Sequence, residues 1–106
     1  MRYEKIDPAL LRVWRDYKRG DSGRLARHVE LWEVLLPEDG DEPVRVVVSL
    51  HCDRDAVEQF DPRWGVRASG ENGSTRSATV PLEYVEALTE HPAVSRLVLS
   101  KRHRLV

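Results

Sequence analysis

The stretch Val44-Arg45-Val46-Val47-Val48-Ser49-Leu50 decides how this chain folds. Val44, Val46, Val48 and Leu50 alternate with Arg45, Val47 and Ser49, the period-two pattern of an interior strand with one strongly apolar face. A second run, Ala93-Val94-Ser95-Arg96-Leu97-Val98-Leu99-Ser100, reads as another strand and inserts Val94, Leu97, Val98 and Leu99 into the same sheet. Between the two, Asp53 is placed to N-cap a helix over 54–60, with Ala56, Val57 and Phe60 inward and Asp61-Pro62 as its stop. Residues 64–69 alternate as a short strand, and Asn72-Gly73 is the strongest short hairpin signal in the chain. The return strand, 74–80, has Ala78 and Val80 on one side and Thr75, Ser77 and Thr79 on the other. A second helix over 81–90 starts at Pro81, turns Leu82, Val85 and Leu88 to the sheet, and stops at His91-Pro92. This order over 44–100 predicts an α+β fold, the ferredoxin-like β-α-β-β-α-β plait.

Working outward, Asp7 is expected to cap a helix that has Pro8 at its first position. Leu10, Val13, Trp14 and Tyr17 form its apolar stripe, which predicts packing on the rest of the fold, and Gly20-Asp21-Ser22-Gly23 ends it. Residues 28–36 are rich in β-branched and large apolar side chains and read as a strand. The acidic turn 37–43 then makes 28–50 an extra strand and hairpin added to the plait. A chain of 106 residues is expected to be one domain. Its parts are an N-terminal helix and linker (1–27), the plait with its extra strand (28–100), and a C-terminal tail (101–106).

Apolar residues make up 41% of the chain and charged ones 33%, which excludes the disordered and membrane-embedded classes. The formal net charge of -1 exerts no global pull on nucleic acid or anionic lipid. Charge is unevenly placed, however: Arg12, Arg15, Lys18, Arg19, Arg24 and Arg27 are followed by Glu30, Glu33, Glu38, Asp39, Asp41 and Glu42. Such blocks are solvated faces or partner-facing patches. The one cysteine, Cys52, excludes an internal disulfide and a cysteine-based zinc site. No apolar run has transmembrane length and no signal-peptide core is present, so a cytoplasmic protein, or a fragment of a secreted precursor, is expected.

No cofactor or metal site is expected. His28, His51, His91 and His103 are scattered, with no pair at ligand spacing on one helix and no carboxylate cluster of obvious reaction geometry. His51-Cys52 is no thiol dyad, because neighbours on an extended chain point to opposite faces. The Gly70 to Gly73 turn joins two strands rather than leading into a helix, which argues against a phosphate loop.

The segments Lys5-Ile6-Asp7-Pro8-Ala9-Leu10, Val44 to Val48, Val80-Pro81-Leu82-Glu83-Tyr84-Val85-Glu86-Ala87-Leu88 and His91-Pro92-Ala93-Val94 to Arg102, in this order, carry a resemblance. The chain resembles the propeptide-type domain found ahead of some bacterial subtilisin-like serine proteases, over nearly all its length except 20–43. The resemblance implies a non-enzymatic inhibitor and folding chaperone of such a protease. Domains of this kind pack their sheet on the enzyme and lay the C-terminal tail along its cleft as a cleaved product would lie. Lys101, Arg102, His103, Arg104, Leu105 and Val106 would be that tail, and Glu71 with Asn72 would form an interface hairpin, Glu71 capping a helix N-terminus of the enzyme. With no protease domain following, the domain would act in trans or be an excised fragment. The acidic loop 37–43 departs from the family pattern and fits instead a standalone interaction module on the same fold.

The rival readings are such an adaptor, with self-association left open, and a single-stranded nucleic-acid binder. The second is disfavoured because the central strands carry no Phe or Tyr on which bases would stack; only Lys101 to Arg104 argues for it.

Overall fold

The computed structural model describes residues 1–38, 40, 42–66 and 75–101, leaving aside the side chain of Arg54. They form a mixed α+β fold with three α-helices and a four-stranded antiparallel sheet. The strands are β1 (Val34–Leu35), β2 (Arg45–Cys52), β3 (Thr75–Pro81) and β4 (Val94–Leu99), and the helices are α1 (Pro8–Lys18), α2 (Ser22–His28) and α3 (Val85–Glu90).

β2 is the hub. One of its edges carries β3 over the full register from Arg45↔Pro81 to His51↔Thr75. The other is shared, β1 pairing at Val46 and Arg45 and β4 from Val48↔Leu99 to Cys52↔Val94. The alternation of β2 therefore becomes a two-faced strand. Val46, Val48, Leu50 and Cys52 are buried, while Arg45 is exposed and Val47, Ser49 and His51 are half-buried. Ala78 and Val80 from β3 and Leu97 and Leu99 from β4 join the buried side. Leu10 and Val13 of α1, Phe60, and Leu82, Val85 and Leu88 of the second helical segment complete one hydrophobic cluster. Each such side chain, fully buried, contributes about 1.5–3 kcal/mol relative to exposure.

The apolar stripe of α1 does what its spacing implies: Leu10 and Val13 are fully buried, and Trp14 and Tyr17 pack partly buried against the cluster. α1 ends at Lys18, and Gly20 follows with φ 70°, the left-handed geometry that closes a helix without a Cβ penalty. Asp7 does stand at the N-cap, but its side chain makes no cap bond; its carbonyl accepts from Leu11 instead.

Four expectations are corrected. The segment 20–27 is no linker and 28–36 is no long strand: Ser22–His28 is α2, and strand geometry is confined to Val34–Leu35. The cause is a local cap plus tertiary contact, since Asp21 accepts from the Arg24 N–H at 3.0 Å, Leu25 is buried, and His28 reaches back to Asp16 on α1. The segment 54–60 is a 3₁₀ helix, Arg54–Gln59, which Asp53 opens without a side-chain cap, although Ala56, Val57 and Phe60 are buried. Where a strand was expected from Trp64, Pro62–Trp64 is a 3₁₀ turn closed by Gly65 at φ 75°; residues 67–69 and the Asn72-Gly73 hairpin lie outside the described residues. Finally, Val98 does not enter the core. Strand alternation puts Leu97 and Leu99 inward and Val98, Ser49's partner, on the opposite face, and the register shift at His51/Cys52 leaves Ser95 and Arg96 both exposed and brings Val94 back inward.

Candidate protein-binding surface

The side of the sheet away from the core is built from small and polar residues. β2 presents Arg45, Val47, Ser49 and His51, and across the β3 ladder lie Thr79, Ser77 and Thr75, all three exposed. Across the β4 ladder, Val98 stands beside Ser49 and Arg96 beside His51. On β1, Leu35 pairs with Arg45 and is 45% exposed, so the face carries an apolar side chain that this fold leaves in solvent. Leu31 and Leu36, also exposed, flank it. A depression of about 490 Å³ lined by Arg45, Gly65, Ser77 and Thr79 indents the surface. Alternation dictates this arrangement, because every side chain one residue out of phase with the buried set emerges here.

Polar contacts on the face are weak. Thr75 Oγ1 lies 3.4 Å from His51 Nδ1, and Ser95 Oγ donates to the His51 carbonyl at 3.1 Å. Short hydroxyl side chains let a partner's backbone or helix approach closely and still find donors and acceptors. Among the described residues the strands of this face present no Phe, Tyr or Trp; their one ring is the His51 imidazole.

The chain leaves the sheet at one defined place. Ser100 donates from its N–H to the Val47 carbonyl and accepts from the Glu33 N–H, both at 2.9 Å. Lys101 then bridges Trp32 in antiparallel fashion. Lys101 is thus held at the margin of the sheet, next to the exposed leucines. Arg102, His103, Arg104, Leu105 and Val106, with the hairpin residues Glu71 and Asn72, lie outside the described residues.

Cys52 and His51 do not come together. Cys52 is buried, and burial pushes its thiol above the ordinary range; Arg76, beside it, pulls the other way and is outweighed. His51 projects to the opposite face of the same strand. His91 sits edge-on to Phe60, ring centres 4.8 Å apart, and accepts from the Ala93 N–H through Nδ1. Among the described residues, no group of three or more His, Cys, Asp and Glu side chains could hold a metal ion. No helix formed by these residues is long and apolar enough to cross a membrane.

One pairing escaped the sequence reading: His28 Nε2 and Asp16 Oδ2 are 2.8 Å apart, across the α1–α2 turn. Its signal was Asp21-Ser22, a helix-start pair inside what reads as a glycine turn. No family model matches this chain, and no curated protein and no solved structure matches it.

Proposed function

We propose that the chain is a propeptide-like, non-enzymatic protease-binding domain, an inhibitor or folding chaperone of a subtilisin-like serine protease. In this reading the sheet is the described part of a ferredoxin-like plait, in which the first strand lies between the third and the last, as β2 lies between β3 and β4. The observation that carries the reading is the uncovered sheet face with the end of β4 at its margin. A Ser/Thr/Val surface with exposed Leu35 suits burial by another protein, and Lys101 delivers the tail from a fixed point.

The physical logic is preorganisation. An extended tail in a protease cleft gains backbone hydrogen bonds along a strand edge of the enzyme. Its ordering cost falls when its first residue is already held, here by the Lys101 bridge to Trp32. The lack of Phe, Tyr and Trp on the described strands of the face favours a protein partner over single-stranded RNA.

The test is inhibition kinetics on a purified subtilisin-like protease. The full chain is expected to inhibit it slowly and tightly, and removal of residues 102–106 to weaken inhibition by about tenfold or more, the equivalent of one or two lost hydrogen bonds. No inhibition by the full chain overturns the protease reading. Equal inhibition by the shortened chain overturns the role of the tail alone.

A further inference from the structure

Arginines crowd the turn between the first two helices. α1 and α2 meet at the Gly20 turn, and the groove between them, about 420 Å³ in volume, is lined by Arg12, Arg15, Arg19, Arg24, Arg27 and the His28–Asp16 pair. Five guanidiniums thus meet two carboxylates, Asp21, which lies 3.5 Å from Arg24 Nε, and Asp16 in the groove itself, a surplus of three positive charges on a chain whose formal net charge is -1. The groove's own carboxylate is already engaged: Asp16 is 7% exposed, its Oδ2 sits 2.8 Å from His28 Nε2, and its Oδ1 is 4.0 Å from Arg24. Arg12, Arg15, Arg19 and Arg27 make no ion pair among the described residues.

Basic residues often gather in the last turn of a helix simply because they offset the partial negative charge there. That accounts for Arg15 and Lys18 in α1 and for Arg27 and His28 in α2. It does not account for Arg12, in the middle of α1; Arg24, in the first turn of α2, is offset by the N-cap Asp21, 3.5 Å from its Nε. Arg12 and Arg15, Arg15 and Arg19, and Arg24 and Arg27 stand three or four residues apart on their helices. Such like-charge pairs destabilise a helix by a few tenths of a kcal/mol each. The local sequence therefore works against its own helices, the kind of inconsistency that marks a functional surface.

We infer that the α1–α2 groove is a binding site for a soluble anion bearing two or more adjacent phosphates. The chemistry follows from three features. The lining cations are all arginines, and the planar guanidinium fork binds phosphate oxygens two at a time. The groove falls within the roughly 300–1,000 Å³ of small-molecule sites. Neutralising three charges in that space takes two phosphates at about −1.5 to −2 each, whereas it would take three carboxylates of an acidic peptide together with their backbone. Arg12, Arg15 and Arg19 are spread over about 10 Å of helix, so adjacent phosphates can be held by successive arginines. The His28–Asp16 pair fixes α2 against α1 and keeps the one acidic group of the groove occupied. This site is separate from the sheet face and independent of the protease reading.

The test is calorimetric titration of the full chain with sodium tripolyphosphate at about 50 mM salt, where charge contacts are well expressed. Saturable one-to-one binding is expected, together with an anion-dependent rise in melting temperature. The double variant Arg15→Gln/Arg19→Gln should lose affinity by roughly a hundredfold, two charge-assisted contacts, while Arg2→Gln binds as the unaltered chain does. Without the anion the double variant should melt no lower than the unaltered chain, because it sheds like-charge repulsion; a lower melting point would make these arginines structural. Absence of saturation by about 10 mM tripolyphosphate, or undiminished binding by the double variant, overturns the site. Equal affinity for a tetraglutamate peptide would make the groove a carboxylate site and overturn the phosphate assignment. Binding seen only with a longer single-stranded oligonucleotide, with a steep salt dependence, would reassign the groove to a nucleic-acid backbone.

Discussion

The two faces of β2 are one residue out of phase and have opposite chemistry. Val46, Val48, Leu50 and Cys52 are all buried, whereas Arg45, Val47, Ser49 and His51 meet solvent at least in part. The helices and the 3₁₀ segment 54–59 feed the first face with leucine, valine and phenylalanine, and the second retains hydroxyls, two arginines and stray apolar groups. A strand that only had to fold would tolerate almost any polar set on its outer side. That side nonetheless carries exposed Leu35 and half-exposed Val47 and Val98, the apolar part of the surface proposed for contact.

This contrast can be broken by substitution. Leu50 is fully buried at the centre of the strand, so Leu50→Ala should lower unfolding free energy by about 2–5 kcal/mol in urea titrations, through lost transfer energy and the cavity left behind. Gly65 comes next: at φ 75° it packs where an added Cβ would run into the backbone carbonyl of Thr79, so Gly65→Ala should cost roughly 1–3 kcal/mol by the same titration. On the outer face the expectation reverses. Ser49→Glu should change stability by no more than about 0.5 kcal/mol, yet inhibition of a subtilisin-like protease should fall sharply. If Ser49→Glu unfolds the protein as Leu50→Ala does, the faces are not distinct in the way proposed.

The smallest effect concerns pH. Asp61 accepts hydrogen bonds from the Arg63 guanidinium and backbone N–H, which hold its carboxyl below the ordinary value of 3.8. A lowered folded-state value means the contribution is fully present above 3.8 and disappears as pH falls through the folded value. The turn is exposed, so the effect is slight; comparing the unaltered chain with Arg63→Gln below pH 3.8, the difference in melting temperature should shrink as acidity rises.

What could be read from residues alone followed from how local the signal was. The Val-rich strand, the return strand with its Thr/Ser side, and the inward triad Leu82, Val85 and Leu88 declare themselves by period; the two strands pair antiparallel and the triad is buried in the core. The segment 20–36 did not, because its helix is seven residues long and is held by Asp16, His28 and Leu25 meeting across a turn. A short helix gains little from propensity, and its β-branched, leucine-rich continuation looks like a strand until packing is known. The outward-facing side of the sheet was legible for the same reason as its core; the exit of the chain beside Trp32 was not, since it depends on β1 and β4 sharing one edge of β2. The basic groove is an intermediate case: its arginines stand out as a charge block, but only the α1–α2 turn brings them around one cavity.

The central claim is that the outer sheet face and the strand end at Lys101 meet a protease. Backbone amide chemical-shift mapping of the full chain against an active-site-blocked subtilisin-like protease tests it most directly. Perturbations should concentrate on Val47, Ser49, Ser77, Thr79, Val98 and Lys101 and leave Arg12 to Arg27 undisturbed. Perturbations centred on the α1–α2 arginines, or none anywhere, would contradict it.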